Sequence, residues 1–221
     1  MKTELTLIST GIGVVEKIVS LVRQERPDMR VHNIIDDSVI PSIVANNNVV
    51  PPGVIRRLSA YCHLAEEGGA EAILVTCSSI SEIVDIARHL VGVPIFKIDE
   101  PMAEIAASRS RRRIGIAATL NTTLDPTERL IRSKVSALGK HIEIQSDLCG
   151  GAFQALWKGD SRTHDEIVIK VVRALLSDCD IVVLAQASMA RAAERLKREE
   201  QERVLTSPAS GVKRVLEYMS T

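Results

Sequence analysis

Aromatic side chains make up only 2% of this 221-residue chain, with two Phe, two Tyr and one Trp. So few rings cannot build the stacking platform that single-stranded nucleic acid requires. An excess of one charge is missing as well, since 28 Lys+Arg face 28 Asp+Glu. No face is reserved for a phosphate backbone, and nucleic acid is not an expected partner. No apolar run approaches the ~20 residues of a membrane helix, so a membrane is not expected either. The opening MKTELTLIST lacks the apolar region and small-residue cleavage site of a signal peptide; the expected location is the cytoplasm. Cysteine is scarce: Cys62, Cys77, Cys149 and Cys179 form no CxxC pair and have no zinc-like spacing with a histidine. A disulfide framework is out of place in a reducing compartment. The histidines at 32, 63, 89, 141 and 164 are scattered, and none shares a motif with Cys77, which speaks against a Cys–His protease.

What is present is an ordinary globular composition, 45% hydrophobic and 25% charged, long enough for one large domain or two small ones. The chain also repeats itself. ILVTCSSI (73–80) resembles IVVLAQASMA (181–190), placing Cys77 opposite Gln186 at an offset of 109 residues. The same offset links TLIST, ending at Thr10, to GIAAT, ending at Thr119, and PIFKI (94–98) to RVLTS (203–207). An internal repeat with one thiol points to a two-lobed enzyme whose lobes face a cleft with unequal equipment.

Short apolar runs alternate with amphipathic stretches, the pattern of strand–helix units and a parallel sheet. Strands are expected near 4–9, 31–35, 72–76 and 93–98, and again near 113–118, 141–145, 180–185 and 203–206. Helices are expected near 13–25, 53–68, 80–90, 100–109, 124–138, 150–158, 164–177, 188–198 and 208–219, with a loop over 38–52. The fold class is therefore α/β, with two pseudo-symmetric lobes of four parallel strands each. The first lobe covers 1–98, with the C-terminal helix 208–221 packing back on it; the second covers 99–207. The cationic run 109–113 reads as a solvated linker end, and the mixed-charge run 195–203 as an exposed helix end.

Ligands of open parallel sheets sit beyond the carboxyl ends of the strands. That rule gathers Thr10 and Gly11, Asp36 and Asp37, Cys77, Thr119, and Gln186 through Ser188. Thr76-Cys77-Ser78-Ser79 lies between a strand end and a helix start, where free N–H groups stabilise negative charge and draw a thiol toward the thiolate. The alternative is a structural thiol beside a serine cap. In AATLNTTLDPTERL (117–130), Thr119, Thr122 and Thr123 either hold an anion or cap the next helix. Gln186 cannot act as a base but can orient a carbonyl or donate to an oxyanion, and Ser188 reads chiefly as a cap. Asp36 and Asp37 either supply a base or cap a turn. Cys149, in SDLCGG, is the one candidate to replace a thiol missing at 186, while Cys62 and Cys179 read as structural.

These residues resemble the aspartate/glutamate/hydantoin racemase superfamily over essentially the whole chain. LVTCSSI is similar to the family's first cysteine motif. IVVLAQASMA is similar to its second, Leu-Gly-Cys-Ala-Gly-Met-Ala in hydantoin racemases, with Gln186 at the cysteine. IGIAATLNTTLDPT resembles the second-lobe loop whose threonines hold a substrate carboxylate, and KIDEPMAEIA the end of the first lobe's sheet. The resemblance implies a homodimer or higher oligomer that uses no cofactor and no metal on a small carboxylate. The expected chemistry is racemisation or isomerisation at the carbon alpha to a carboxylate or carbonyl. Cys77 would be acid/base or nucleophile, with Gln186 polarising an enolate. Thr10, Gly11, Asp37, Thr76, Ser78, Ser79, Thr119, Thr122, Thr123 and Ser188 would bind substrate. A one-cysteine decarboxylase or lyase, or a non-catalytic carboxylate-binding protein, are the competing readings.

Overall fold

A strand that is apolar on both sides needs cover on both faces of its sheet, and the central strands here are of that kind. The computed structural model describes residues 2–221. In the first lobe β1 (Glu4–Ser9), β2 (Arg30–Ile35), β3 (Ala72–Val75) and β4 (Ile95–Lys97) form one all-parallel sheet in the order β2-β1-β3-β4. Side chains alternate along β3: Ile73 and Val75 enter one core cluster, Ala72 and Leu74 the other. The first cluster is closed by α2 (Val39–Ala45), α3 (Pro52–Glu67) and α4 (Ser81–Ala87), the second by α1 (Val15–Glu25) and α11 (Ser207–Met219). Helical spacing explains the docking. Val54, Leu58, Cys62 and Ala65 place one stripe of α3 inward.

The second lobe repeats the plan. Its strands β5 (Arg113–Ala118), β6 (Glu143–Leu148), β7 (Ile181–Leu184) and β8 (Val204–Thr206) are parallel in the order β6-β5-β7-β8. One face carries α8 (Ser161–Asp178) and α9 (Ala190–Glu194), beside α7 (Ala152–Trp157) and α10 (Arg198–Gln201). The other carries α5 (Glu100–Arg109) and α6 (Asn121–Ala137). One compact unit ends at Ile98 and takes back Pro208–Thr221; the other is Asp99–Ser207. Among the described residues, no helix is long and apolar enough to cross a membrane.

Three local features depart from the sequence reading. Residues 39–45, expected as loop, form α2, because Val39 and Ile43 sit one turn apart and bury against the first-lobe core. Asn47 and Asn48 then take left-handed conformations, which Asn tolerates better than other side chains. Helix α6 begins at Asn121 rather than 124 and carries Pro126 inside it. The helix expected over 188–198 breaks into a short 3-10 turn, α9 and α10.

Asp180, just before β7, anchors the basic run. Its Oδ2 accepts the backbone N–H groups of Arg111, Arg112 and Arg113 at 3.0, 2.6 and 3.1 Å and the Ser110 hydroxyl at 3.1 Å. Burial raises its carboxyl pKa, but those bonds prevail and hold it at about 2, below the usual 3.8. A carboxyl held low in the folded state stabilises above its unfolded pKa and loses that contribution as pH falls through the folded value. Asp180→Asn should thus cost about 1–3 kcal/mol at neutral pH. The gap from wild type should close between pH 4 and pH 2, as read from urea midpoints. Gly211 marks a second constraint. A Cβ there would lie 2.5 Å from the Ile98 carbonyl oxygen and 2.7 Å from its Cγ1. Although alanine favours helices, Gly211→Ala should destabilise by about 1–3 kcal/mol or more through overpacking; a thermal midpoint at or above wild type would contradict that close approach.

Candidate active site

Where strand order reverses, the ends of two neighbouring strands part and their chains leave in different directions. In the first lobe those strands are β1 and β3, and Ile8 pairs with Val75 at the last register. The next residues are tied by side chains. Ser9 Oγ and Thr76 Oγ1 lie 2.8 Å apart in a buried bond, and the Thr76 hydroxyl also donates to the Ile8 carbonyl at 3.3 Å. Thr76 therefore has its hydroxyl committed to holding the sheet edge.

One residue further on stand Thr10 and Cys77. Cys77 has extended backbone and leads into a 3-10 turn, Ser78–Ile80, that runs into α4. The thiol is partly buried against the first-lobe core. Burial raises its pKa, while the Thr10 hydroxyl, the Ser79 N–H and hydroxyl and the Ile80 N–H pull it down. Burial prevails, and the thiol lies above its ordinary value. The helix-start donors expected from sequence are in place; removal of water outweighs them, so the resting group is SH rather than thiolate. Ser78 and Ser79 are buried at this turn. Gly11 has extended backbone, and a Cβ there would meet nothing within 4 Å, so this position asks for no glycine.

Asp36 and Asp37 separate in role. Asp36 accepts from Arg57 Nη1 at 2.6 Å, the Tyr61 hydroxyl at 2.8 Å and the Ser38 N–H and hydroxyl at 3.1 and 2.6 Å. Burial raises its pKa, but these bonds and Arg57 outweigh it and keep the carboxylate ionised. It fastens α3 to the end of β2. Asp37 is exposed at the same turn.

The second lobe closes its strand ends at the equivalent place with different groups. Thr119 N–H donates to Gln186 Oε1 at 2.7 Å, and Gln186 Nε2 donates to Thr119 Oγ1 at 2.6 Å. A backbone N–H can only donate, which fixes the orientation of the amide. Gln186 is thus turned onto Thr119, a pairing that sequence could suggest only through the shared offset. Thr122 and Thr123 lie buried in the first turn of α6, with Leu120 as N-cap. Ser188 sits in the turn Ala187–Met189, and α9 is N-capped by Met189 without a side-chain bond, so Ser188 is not its N-cap.

Cys149 follows β6 at the same edge, with its N–H donating to the Ala118 carbonyl at 2.7 Å, but its side chain turns away from solvent. Its sulfur is fully buried in a second-lobe core cluster with Ala152 and Val168, and burial pushes its pKa up to about 12. Cys62 and Cys179 are buried too, as expected of structural thiols, and Cys62 is raised to about 11. One cluster escaped the sequence reading. On α8 the fully buried His164 has Nδ1 2.9 Å from Asp165 Oδ1, and Arg191 grips Asp165 at 2.8 and 3.0 Å. A His-Asp pair on the apolar stripe of a helix was the available signal. Among the described residues, no group of three or more His, Cys, Asp or Glu could hold a metal.

Cys77 is also more accessible than the other three thiols, which are buried. A small neutral alkylating reagent on the native protein should modify Cys77 at least tenfold faster than Cys62, Cys149 or Cys179, as read by peptide mass spectrometry. Equal rates, with the fold intact by circular dichroism, would contradict the placement.

The family model for Asp/Glu/Hydantoin racemase matches residues 7–215. Similar solved structures include a glutamate racemase from Francisella tularensis in complex with D-glutamate, with TM-score 0.75 and 16% identity over 99% of this chain and 81% of that one. An aspartate racemase homologue from Pyrococcus horikoshii gives 0.71 and 17%, covering 100% of both chains. An allantoin racemase from Klebsiella pneumoniae gives 0.68 and 18% over 99% and 88%. No curated protein matches the chain. The structural likeness establishes the fold, and the family model spans both lobes from the end of β1 into the last helix; the chain belongs to the Asp/Glu/Hydantoin racemase family.

Proposed function

We propose that this racemase-family enzyme moves a proton at the carbon alpha to a carboxylate or carbonyl of a small molecule, with Cys77 as its single proton carrier and no cofactor. The observation that supports this most is the setting of the Cys77 sulfur. It lies at a strand end among the Thr10 hydroxyl and the Ser79 and Ile80 N–H groups, which lower its pKa against burial. As base, the thiolate takes the alpha proton: S–H forms, C–H breaks, and the electron pair moves onto oxygen as an enolate. Such carbon acids are weak until preorganised donors meet the developing oxyanion. The Thr119 hydroxyl accepts from Gln186, which leaves its own proton to donate, and Gln186 keeps a second amide hydrogen. Thr122 and Thr123, at the N-terminus of α6, suit the anionic group because that helix end favours negative charge. Thr10, Gly11, Asp37, Ser78, Ser79 and Ser188 complete the proposed substrate-binding set. Thr76, already bonded to Ser9 and Ile8, supports Cys77 from behind.

A second reading, decarboxylation or another lyase reaction, draws on the raised pKa of the Cys77 thiol. A resting SH is equipped to give a proton first, to an enediolate left after CO2 departs.

The order of events separates the two. If Cys77 acts first as base, kcat/KM rises with pH through a thiol pKa above the ordinary ~8.5. If it acts first as acid, kcat/KM is flat and then falls through that same pKa. Cys77→Ser should lower kcat by about 10²–10⁴ in either case, the usual worth of a positioned acid or base. The assay follows alpha-deuterium exchange in D2O and CO2 release on a panel of small carboxylates. Undiminished activity in Cys77→Ser would remove the proposal.

A further inference from the structure

The corner beyond the edge strand is filled differently in the two lobes. In the first, the Asp36 N–H donates to the Ser9 carbonyl at 3.0 Å; in the second, the Cys149 N–H donates to the Ala118 carbonyl at 2.7 Å. Asp36 and Cys149 therefore hold the same place in the repeat. Cys149 fills its corner with a buried sulfur beside Ala152 and Val168, so the plan folds without charge there. Asp36 instead gathers Ser38, Tyr61 and Arg57. Three neutral donors, the Ser38 N–H and hydroxyl and the Tyr61 hydroxyl, already serve its carboxylate at 3.1, 2.6 and 2.8 Å. A partly exposed ion pair adds little stability over apolar packing, which leaves Arg57 without a sufficient structural reason.

Arg57 commits one nitrogen to this corner. Its Nη1 donates to Asp36 at 2.6 Å and to the Ser38 hydroxyl at 2.7 Å, while Nε and Nη2 make no hydrogen bond among the described residues. The side chain is 35% exposed. A guanidinium pinned at one end thus presents an unspent Nε–Nη2 edge, the fork that an oxyanion accepts bidentately. The same lobe carries Cys77. Tyr61 and Cys77 pack against one core cluster, and only β1 separates the end of β2 from that of β3. Two strand spacings, about 10 Å, span that edge from Asp36 to Cys77.

From this geometry we infer that the Nε–Nη2 edge of Arg57 binds a second anionic group of the substrate, a carboxylate or phosphate remote from the carbon at which Cys77 works. The inference rests on the carbon-acid reading above and adds a specificity-determining residue to it. The substrate class is a small acid with two anionic groups. Arg57 makes and breaks no covalent bond; it selects the ligand, with Asp36 and Ser38 holding its other end.

The test is isothermal titration of the full-length protein at low salt with butyrate, glutarate and 2-phosphoglycolate. At least one of the two dianions should bind at least tenfold tighter than butyrate, and the two dianions tell a carboxylate subsite from a phosphate one. Arg57→Gln should reduce that preference to threefold or less, whereas Arg56→Gln, which removes the same charge from the exposed neighbour on α3, should keep it. Wild type that prefers neither dianion, or a folded Arg57→Gln that keeps the preference, overturns the inference. Equal losses in the two variants overturn it as well, since a general charge effect then suffices. Should Arg57→Gln not fold, Arg57→Lys, which keeps the charge and loses the planar fork, has to lower the preference at least threefold. Alpha exchange of butyrate and glutarate in D2O is scored separately. Exchange without dianion preference overturns the role of Arg57 alone, and an Arg57-dependent preference without exchange supports the subsite while removing the carbon-acid reading.

Discussion

Where two parallel strands part company, the sheet can no longer satisfy the polar groups at their ends, and side chains have to do it. That requirement shapes both lobes. In the first, the buried Ser9–Thr76 bond closes the gap between β1 and β3, and the next pair, Thr10 and Cys77, is joined by a hydrogen bond from the Thr10 hydroxyl. In the second, no such clasp exists one residue earlier, because Ala118 and Ala185 stand at the places of Ser9 and Thr76. The closure has moved outward to Thr119 and Gln186. Two hydrogen bonds of this sort contribute on the order of 1 kcal/mol each, enough to set the position of a strand end and the direction of an amide.

The setting of Cys77 shows how opposing influences combine. Donors at a helix start favour a thiolate, and desolvation disfavours it. Here desolvation prevails, so the sulfur rests protonated while the groups that would stabilise its anion are already aligned. A negative charge bound nearby disfavours a thiolate and further donors favour it, so the working pKa of such a thiol depends on what is bound. Cys149 carries the opposite lesson. It has a thiol and two following glycines, yet its sulfur lies inside a core cluster with no donor to favour the thiolate.

Much of the architecture was legible because it follows from periodicity. Unbroken apolar runs at 72–75 and 181–184 declare strands covered on both faces, and the 109-residue offset declares that the plan is used twice. The strand-end rule then located Thr10, Cys77, Thr119 and Gln186. The helix at 39–45 lies inside a segment expected as loop, because its formation depends on burying Val39 and Ile43 in the first-lobe core rather than on local pattern. Helix α6 starts at Asn121, three residues before the expected 124, with Thr122, Thr123 and Leu124 buried in its first turn.

The sequence by itself determined the two lobes, their parallel sheets and the asymmetry of one thiol against one amide, since each is a matter of residue type and spacing along a chain. Tertiary structure decided the states and partners of those residues: a protonated Cys77, a Gln186 turned onto Thr119, an Asp36 fastened to Arg57 and Tyr61, a Cys149 sealed from solvent. The reason is physical. Strand and helix periods are local properties, while burial and hydrogen-bond pairing join residues 21 to 67 positions apart, and only the folded chain brings those together.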